Sequence, residues 1–192
     1  MPDCVTFMLD GIWGRPRRFA RMCRAIESTC GPTQIFRYDS SGIGCLQQQG
    51  DRLAEEIRRC GQPVNLVAFS MGGLVVRAAQ AADPSLPIRR VVFLNSPHHG
   101  SIWCYLAWPF SKLRGMRQMI PGSAFLRQLN CSTWNIPTMS VWCPLDLAVV
   151  PGNMAKWPAD GQMVCSPMPL HPWPIYSPPL RRRIATFLAQ NN

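Results

Sequence analysis

The chain has 192 residues, of which 47% are hydrophobic and 16% charged, a balance typical of one globular domain and incompatible with a disordered chain. The net charge of +10 comes almost entirely from arginine. These arginines fall in short, separate clusters without interleaved aromatic residues, which argues against nucleic-acid binding. The nine cysteines never form Cys-x-x-Cys, which argues against a zinc site and a secreted disulfide framework; their disulfide state stays open.

The N-terminal sequence lacks a basic segment followed by a long apolar run, so we expect no signal peptide and a cytoplasmic protein. No stretch approaches the roughly 18 consecutive apolar residues that a membrane-spanning helix needs. The composition therefore favours a folded domain outside the bilayer.

Strand and helix patterns alternate along the chain. Strands are predicted at 5–9, at 34–38, in the apolar run from Val64 to the residue before Ser70, at 90–94, at 137–143 and briefly at 164–165. Helices are predicted from Pro16 onward, at 46–60, at 74–82 and at 180–190. This alternation predicts an α/β fold, with a mostly parallel sheet of about six strands, helices on both faces and a single domain over 1–192.

Residues 102–130 break the alternation. Aromatic and apolar residues crowd together at 102–110, and Lys112, Arg114 and Arg117 follow. The pattern predicts one or two short helices inserted between strands as a small cap or lid. A helix packed on the core explains the aromatic residues equally well.

The segment around Ser70 predicts a sharp strand–turn–helix connection. An apolar strand leads into the serine, and an Ala- and Val-rich helix follows within a few residues. Ala68 and Gly72, two positions to either side, are small enough for the strand and helix to pass closely. Such a turn forces its apex residue into strained backbone geometry and exposes the serine oxygen above the sheet. We therefore predict that Ser70 is a nucleophile.

A serine nucleophile needs a histidine to accept its proton. The chain contains three histidines. His98 and His99 directly follow a predicted strand, and hydrogen bonding within that loop is the favoured interpretation. A metal site would need more acids or cysteines nearby than the sequence offers. His171 lies in a loop before the last helix.

The histidine in turn needs an orienting carboxylate, and three acidic residues follow Ser70 in the chain. Asp83 lies at a predicted helix end and suits a cap. Asp146 follows a predicted strand, while Asp160, the runner-up, lies in a Pro/Gly loop typical of a surface turn. The order Ser70, Asp146, His171 matches that of α/β-hydrolase triads. Loops after parallel strands meet at one edge of the sheet.

Five segments of the sequence together resemble the small lipases and esterases of the α/β-hydrolase superfamily, over essentially the full chain. They are LDGIWG, AFSMGGLVVRA, LNSPHHGS, MIPGSAFLRQLN, and PLDLAVVP with the later LHPWPIYSPPLRRRIATFL. Their order and spacing carry the resemblance, because each segment alone would be a weak signal. The resemblance implies the α/β-hydrolase fold.

The resemblance also implies roles for individual residues. Ser70 would be the nucleophile, Asp146 the orienting acid and His171 the general base. The backbone N–H groups of Ile12 and Met71 would form the oxyanion hole. The implied function is a serine carboxylic-ester hydrolase that cleaves lipid-like or small apolar esters through an acyl-enzyme on Ser70, without a cofactor or a metal.

The sequence departs from this family at two positions. Asp10-Gly11 stands where members usually have His-Gly, and Ala68 stands where they usually have Gly. Ala68 is small enough for the turn. A carboxylate at position 10 would repel charge developing in the oxyanion hole, and we predict that loop donors or Arg15 hydrogen-bond it away.

Aromatic and apolar residues are predicted to line the substrate cleft: Trp13, Trp103, Leu106 and Trp173, with Trp157 as a further candidate. A small, open cleft favours short- to medium-chain esters. Two alternatives stay open, namely acyl transfer or amide hydrolysis by the same triad, and a non-catalytic binding module on a hydrolase scaffold. The predicted partners are an ester substrate and, transiently, a membrane or lipid surface; the sequence does not indicate an oligomeric state.

Overall fold

The computed structural model describes residues 4–190, which contain one sheet of six strands. These are β1 (Val5–Leu9), β2 (Thr33–Phe36), β3 (Val64–Phe69), β4 (Ile88–Leu94), β5 (Thr138–Trp142) and β6 (Gln162–Cys165). Their order in the sheet is β2-β1-β3-β4-β5-β6, and every neighbouring pair is parallel. The predicted α/β class with about six strands is confirmed.

The helices of residues 4–190 are α1 (Ala20–Cys30), α2 (Leu46–Cys60), α3 (Met71–Ala82), α4 (Arg114–Gln118), α5 (Ala124–Cys131), α6 (Trp173–Tyr176) and α7 (Pro178–Ala189). Short 3₁₀ helices add Pro16–Phe19, Ile102–Ala107 and Gly152–Ala155. The predicted start of α3 at residue 74 is wrong, because the helix begins directly after Ser70. Two glycines in its first turn hide the helical pattern, and Gly72 is needed there because a Cβ would lie 2.7 Å from the Asp10 carbonyl oxygen.

Each strand sends alternate side chains to opposite faces of the sheet. On one face, residues such as Phe7, Leu66 and Phe93 pack with α2 and α3. On the other face, Met8 and Val67 and their neighbours pack with α1 and α7. Burial on both faces explains why β3 is apolar almost throughout, and it confirms helices on both sides.

The direction of chain progression reverses between β1 and β3. From β1 the chain continues outward to β2, whereas from β3 it continues to β4, β5 and β6 on the opposite side. Loops at the carboxyl ends of the strands beside such a reversal diverge and leave a crevice. Asp10 directly follows β1 and Ser70 directly follows β3, so both lie at this crevice.

The insertion between β4 and β5 carries the predicted cap segment. It holds three short helices, the 3₁₀ helix Ile102–Ala107 and helices α4 and α5, rather than the predicted one or two. Helix α5 packs on α3 and α4 packs on α2, so this end of the segment is anchored. The side chains of Leu106 and Trp108 are instead 69% and 64% exposed, so the aromatic stretch is not simply core.

No helix within residues 4–190 combines the length and apolar character required to cross a bilayer. The nine cysteines within this range are all free thiols. Burial raises the pKa of the Cys104 thiol to about 11, so it is protonated at neutral pH.

His98 is buried in an aromatic cluster. Its ring centroid lies 4.8 Å from that of Phe93 and 4.9 Å from that of Trp157, both at steep angles. Neither ring nitrogen has a hydrogen-bond partner among residues 4–190, so the prediction of loop hydrogen bonding is wrong for this ring. Burial, reinforced by the nearby Arg77 and His99, lowers the pKa of His98 well below its ordinary value. The ring is therefore neutral in the folded protein.

Arg77 ties this cluster to the insertion. Its guanidinium donates to the carbonyl oxygens of His98 at 3.3 Å and Leu129 at 2.9 Å and stacks over Trp157 at 5.3 Å. Burial lowers the pKa of Arg77 to about 10, which still leaves it charged at neutral pH. Arg77 thereby links helix α3 both to the loop that follows β4 and to helix α5.

We expect the free energy of unfolding to fall as the pH drops from about 6.5 to 5. In that range the unfolded state binds a proton at His98 that the folded state does not, so stability decreases by up to about 1.4 kcal/mol per pH unit. His98→Leu should remove most of this slope, as urea denaturation at pH 7 and pH 5 would measure. His99→Gln is the comparison, because its half-buried ring should remove less of the slope. An unchanged slope in His98→Leu would show that the folded protein protonates this ring.

Candidate active site

Ser70 stands at the apex of the turn between β3 and α3. Its φ of 53° and ψ of −126° lie outside the regions that a serine ordinarily adopts. The turn is held by the Ser70 N–H, which donates to the Leu94 carbonyl at 2.8 Å, and by the Gly73 N–H, which donates to the Ser70 carbonyl at 3.0 Å. Such strain persists only where surrounding bonds over-determine it, and it is a feature of functional sites.

The structure brings the three predicted triad side chains together. His171 Nε2 lies 2.8 Å from Ser70 Oγ, and His171 Nδ1 lies 2.7 Å from Asp146 Oδ2. The Asp146 carboxylate is buried, whereas the imidazole keeps 15% of its surface exposed. The histidine thus joins the hydroxyl and the carboxylate in one hydrogen-bonded chain at the carboxyl edge of the sheet.

Backbone donors fix the orientation of the carboxylate. Asp146 Oδ1 accepts the N–H groups of Ala148 at 2.8 Å and Val149 at 3.0 Å, which leaves Oδ2 for the imidazole. With Oδ2 facing Nδ1, the carboxylate can accept a hydrogen bond from a proton on Nδ1, which leaves Nε2 free to accept one from the serine.

Two further residues position the histidine, and the sequence analysis did not assign them. The Asn95 side chain donates from Nδ2 to the His171 carbonyl at 2.8 Å, and the Phe69 ring lies 4.7 Å from the imidazole centroid. Asn95 has a φ of 46°, a conformation that asparagine tolerates better than most residues. The segment LNSPHHGS contains this asparagine, but nothing in the sequence indicates its partner.

Ile12 and Met71, the predicted oxyanion-hole residues, follow β1 and β3 at the same edge of the sheet. Met71 is the first residue of α3, so its N–H has no acceptor within the helix. Ile12 lies in the loop after β1, and that loop is held by the Trp13 N–H, which donates to the Ser40 carbonyl at 2.8 Å. The Tyr38 hydroxyl also donates to the Asp10 carbonyl, and burial raises the pKa of this phenol, so it keeps its proton.

The Asp10 carboxylate is buried and fully engaged. It accepts the N–H groups of Gly11 and Arg15, each at 2.7 Å, and the Nε–H of Arg18 at 2.9 Å, and Arg18 Nη2 contacts its other oxygen. The prediction that N–H donors of the loop hydrogen-bond the Asp10 carboxylate is therefore confirmed. The guanidinium that neutralises this carboxylate belongs to Arg18, not to Arg15. This pair compensates the negative charge that Asp10 would otherwise place beside the crevice.

We expect Arg18→Gln to lower the free energy of unfolding by about 3–5 kcal/mol, because it leaves the Asp10 carboxylate buried without its counter-ion. The double variant Asp10→Asn/Arg18→Gln should recover most of this loss, since no buried charge then remains unpaired. Urea denaturation of the two variants beside the parent protein measures both effects. A double variant as unstable as Arg18→Gln would contradict a compensating ion pair.

The four residues predicted to line the substrate cleft differ in position. Trp13 is 73% exposed on the loop after β1. Trp103 and Leu106 project from the 3₁₀ helix of the insertion, and the Trp103 indole donates to the Leu147 carbonyl at 3.1 Å, next to Asp146. Trp173 is half-buried and begins α6, two residues after His171.

The other residues considered for the site lie elsewhere. Trp157 is buried in the core with Phe93 and His98, so its candidacy for the cleft is wrong. Asp83 caps a turn after α3 and bonds Arg58 at 2.9 Å, as predicted for a cap. Asp160 lies in an exposed loop where its carbonyl accepts the Trp157 indole N–H. Within residues 4–190 no group of three or more His, Cys, Asp or Glu side chains is arranged to hold a metal ion.

Neither a protein-family profile nor a curated protein sequence matches the chain. Several solved structures are nevertheless similar to it. The monoacylglycerol lipase of Paleococcus ferrophilus superposes with a TM-score of 0.72 at 11% identity, over 96% of this chain and 93% of that one. The mature lipase BlEst2 of Bacillus licheniformis gives 0.69 at 16% identity, over 85% of each chain.

Lipase B of Aspergillus fumigatus gives a TM-score of 0.64 at 15% identity over 78% of this chain, which spans only 39% of that protein. These identities are too low to transfer an activity, but the shared architecture extends over most of the chain. With its six parallel strands, its helices on both faces and its serine turn after β3, the chain has the α/β-hydrolase fold.

Proposed function

We propose that the chain is a serine carboxylic-ester hydrolase. The observation that carries this proposal is the hydrogen-bonded series from Ser70 Oγ through His171 to the buried Asp146 carboxylate, with donor–acceptor distances of 2.8 and 2.7 Å. A strained serine turn at the switch point of the sheet supports it, and so does the position of Ile12 and Met71 directly beyond the same two strands.

In the first step of the proposed mechanism, Ser70 Oγ attacks the ester carbonyl while His171 Nε2 takes the hydroxyl proton. The Asp146 carboxylate stabilises the imidazolium that forms. The N–H groups of Ile12 and Met71 receive the oxyanion, and the loss of one such donor typically lowers the rate by about 10²–10³. His171 then gives its proton to the departing alcohol, which leaves an acyl group on Ser70.

In the second step, water attacks the acyl-enzyme. His171 Nε2 takes a proton from the water and later returns one to Ser70 Oγ as the carboxylic acid leaves. The carboxylate at position 146 keeps the same imidazole nitrogen available in both half-reactions. No cofactor or metal takes part in these steps.

The surroundings of the triad favour a lipid-like or otherwise apolar ester. Large apolar side chains that are more than half exposed belong to the loops and the 3₁₀ helix around the site: Trp13, Trp103, Leu106, Leu145, Leu147 and Leu170. A rim of this kind is unusual for a surface that meets only water. It suits an acyl chain and transient contact with a lipid surface, as the sequence predicts.

A depression of about 770 Å³ lies on the insertion. Its walls include Tyr105, Trp108 and Phe125, and none of the triad residues lines it. It is therefore not the catalytic cleft. Ser70 and Asp146 are largely buried and the insertion consists only of short helices, which favours short- to medium-chain esters.

Two alternative functions use the same geometry. An acyltransferase or amidase would share every step up to the acyl-enzyme and differ only in the leaving group or the acceptor. A non-catalytic binding module was suggested by Asp10, but its ion pair with Arg18 removes that objection to catalysis. Rates on matched esters and amides, with and without added alcohol acceptors, separate the first alternative from hydrolysis.

Labelling by a fluorophosphonate probe tests the proposal directly. We expect stoichiometric labelling of the parent protein at Ser70, and turnover of p-nitrophenyl esters that is fastest for butyrate to octanoate and falls toward palmitate. The probe reacts only with a serine whose proton has an acceptor. A folded protein that neither labels nor turns over any ester of the series would exclude a serine hydrolase and leave the binding module.

A further inference from the structure

A second concave site lies on the helical face formed by α1 and α7. It is an open depression of about 470 Å³, and none of the triad residues lines it. Arg21, Arg24 and Ala25 form one wall, and Pro178, Arg181 and Arg182 form the other. Each set has the spacing i, i+3, i+4, so each is a single stripe along its helix.

Packing between the two helices makes the stripes converge. Met22 and Ile26 of α1 and Ile184 and Leu188 of α7 are buried in the same core cluster on this side of the sheet. The arginines occupy the adjacent, outward-facing positions of both helices. Four guanidinium groups from segments more than 150 residues apart in sequence therefore meet in one depression.

No carboxylate within residues 4–190 balances these charges. None of the four arginines forms an ion pair there, and the acidic residue of α1, Glu27, accepts the Thr33 hydroxyl instead. Among the residues that the structure describes, Arg24 alone of the four bonds a backbone carbonyl, that of Ala20 at 3.3 Å. Arg181 Nη1 is enclosed and has no hydrogen-bond partner among the described residues. Like charges gathered without a partner repel one another, and an anion would relieve this.

We propose that this depression binds a phosphate-bearing anion, either free or as the headgroup of a lipid. Guanidinium groups match phosphate oxygens with paired N–H donors, and a phosphate group with several terminal oxygens can engage more than one of them. The proposal is independent of ester hydrolysis, because it concerns a different face and a different ligand.

The start of α7 determines which atoms hold the ligand. Many helix N-termini bind phosphate through backbone N–H groups. Here Pro178 and Pro179 occupy the first two helical positions and have no N–H, and Ser177 accepts the N–H groups of Leu180 and Arg181. Binding therefore depends on the arginine side chains, which makes the site sensitive to substitution of single arginines.

The test measures binding of inorganic pyrophosphate and glycerol phosphate by isothermal titration calorimetry at near-physiological salt. We expect Arg24→Gln and Arg182→Gln each to weaken pyrophosphate binding about tenfold, since each removes a charge-assisted pair. Arg183→Gln is the matched control, because this neighbour on α7 is exposed and does not line the depression. It should change the affinity less than about twofold.

Vesicles distinguish the two sources of phosphate. Phosphatidylcholine vesicles that contain phosphatidic acid are compared with vesicles carrying the same surface charge as oleate. Binding to soluble pyrophosphate supports the site with a free phosphate as its ligand. Preferential binding to phosphatidic acid supports the site with a lipid headgroup as its ligand. The proposal is overturned if neither probe binds, if citrate binds as well as pyrophosphate, or if Arg183→Gln weakens binding as much as Arg182→Gln. Pyrophosphate should also raise the Tm of the parent protein and of Arg183→Gln by similar amounts, and that of Arg182→Gln by less.

Discussion

Ser70→Ala is expected to lower kcat for p-nitrophenyl butyrate by about 10⁶-fold, with KM little changed. The oxygen of this hydroxyl would form the bond of the acyl-enzyme. Among the described residues, no other hydroxyl hydrogen-bonds His171. What activity remains would come from the N–H groups of Ile12 and Met71 and from substrate positioning, which do not need a nucleophile.

The same substitution should leave the fold intact. It removes one hydrogen bond, the one between Ser70 and His171. Alanine adopts a backbone φ of 53° no less readily than serine does. The free energy of unfolding should therefore change by less than about 1.5 kcal/mol. Ser28→Ala, on the exposed surface of α1, is the control and should retain full activity. A folded Ser70→Ala protein that keeps more than about a hundredth of the parent rate would remove Ser70 as nucleophile.

The serine turn and the edge of the sheet that carries the triad can be predicted from the sequence, because local geometry sets them. Ala68, Ser70 and Gly72 specify a tight strand-to-helix turn because only small side chains fit where β3 and α3 pass. The alternation of strands and helices then requires parallel pairing, which brings Ser70, Asp146 and His171 to one edge. No tertiary detail is needed for these steps.

Other features depend on packing that no local pattern encodes. The sequence offers three arginines as possible partners of Asp10, namely Arg15, Arg17 and Arg18. Arg18 reaches the carboxylate because of its position in the 3₁₀ helix Pro16–Phe19. Trp157 and Trp173 are equally aromatic, yet one is buried between Phe93 and His98 and the other follows the triad histidine. Such choices are fixed by which faces of distant segments meet.

The convergence of α1 and α7 has the same origin. In the sequence, the arginines of the two helices fall into separate clusters, which by themselves indicate only a diffuse positive charge. The packing of α1 against α7 on one face of the sheet turns part of that diffuse charge into a local site. A long-range contact, not composition, therefore distinguishes the two interpretations.

Asp146→Asn is expected to lower kcat by about 10⁴-fold at neutral pH. Asp146 Oδ1 accepts two backbone N–H groups, from Ala148 and Val149, so an asparagine must place its amide oxygen there and its NH₂ toward His171. The NH₂ group would then donate to Nδ1 and force the proton onto Nε2. In that tautomer the imidazole cannot accept the proton of Ser70, so the base is lost while the geometry is kept.

The runner-up acid provides the matched control. Asp160→Asn removes the same charge from an exposed loop and should change kcat less than about twofold. If the triad acts as one unit, the double variant Ser70→Ala/Asp146→Asn should be no slower than Ser70→Ala alone, because the orienting acid has no function once the nucleophile is absent. Activity retained by Asp146→Asn and lost in Asp160→Asn would assign the orienting carboxylate to residue 160. The buried Oδ1 with its two backbone donors, which residue 160 lacks, is the physical reason to expect the opposite.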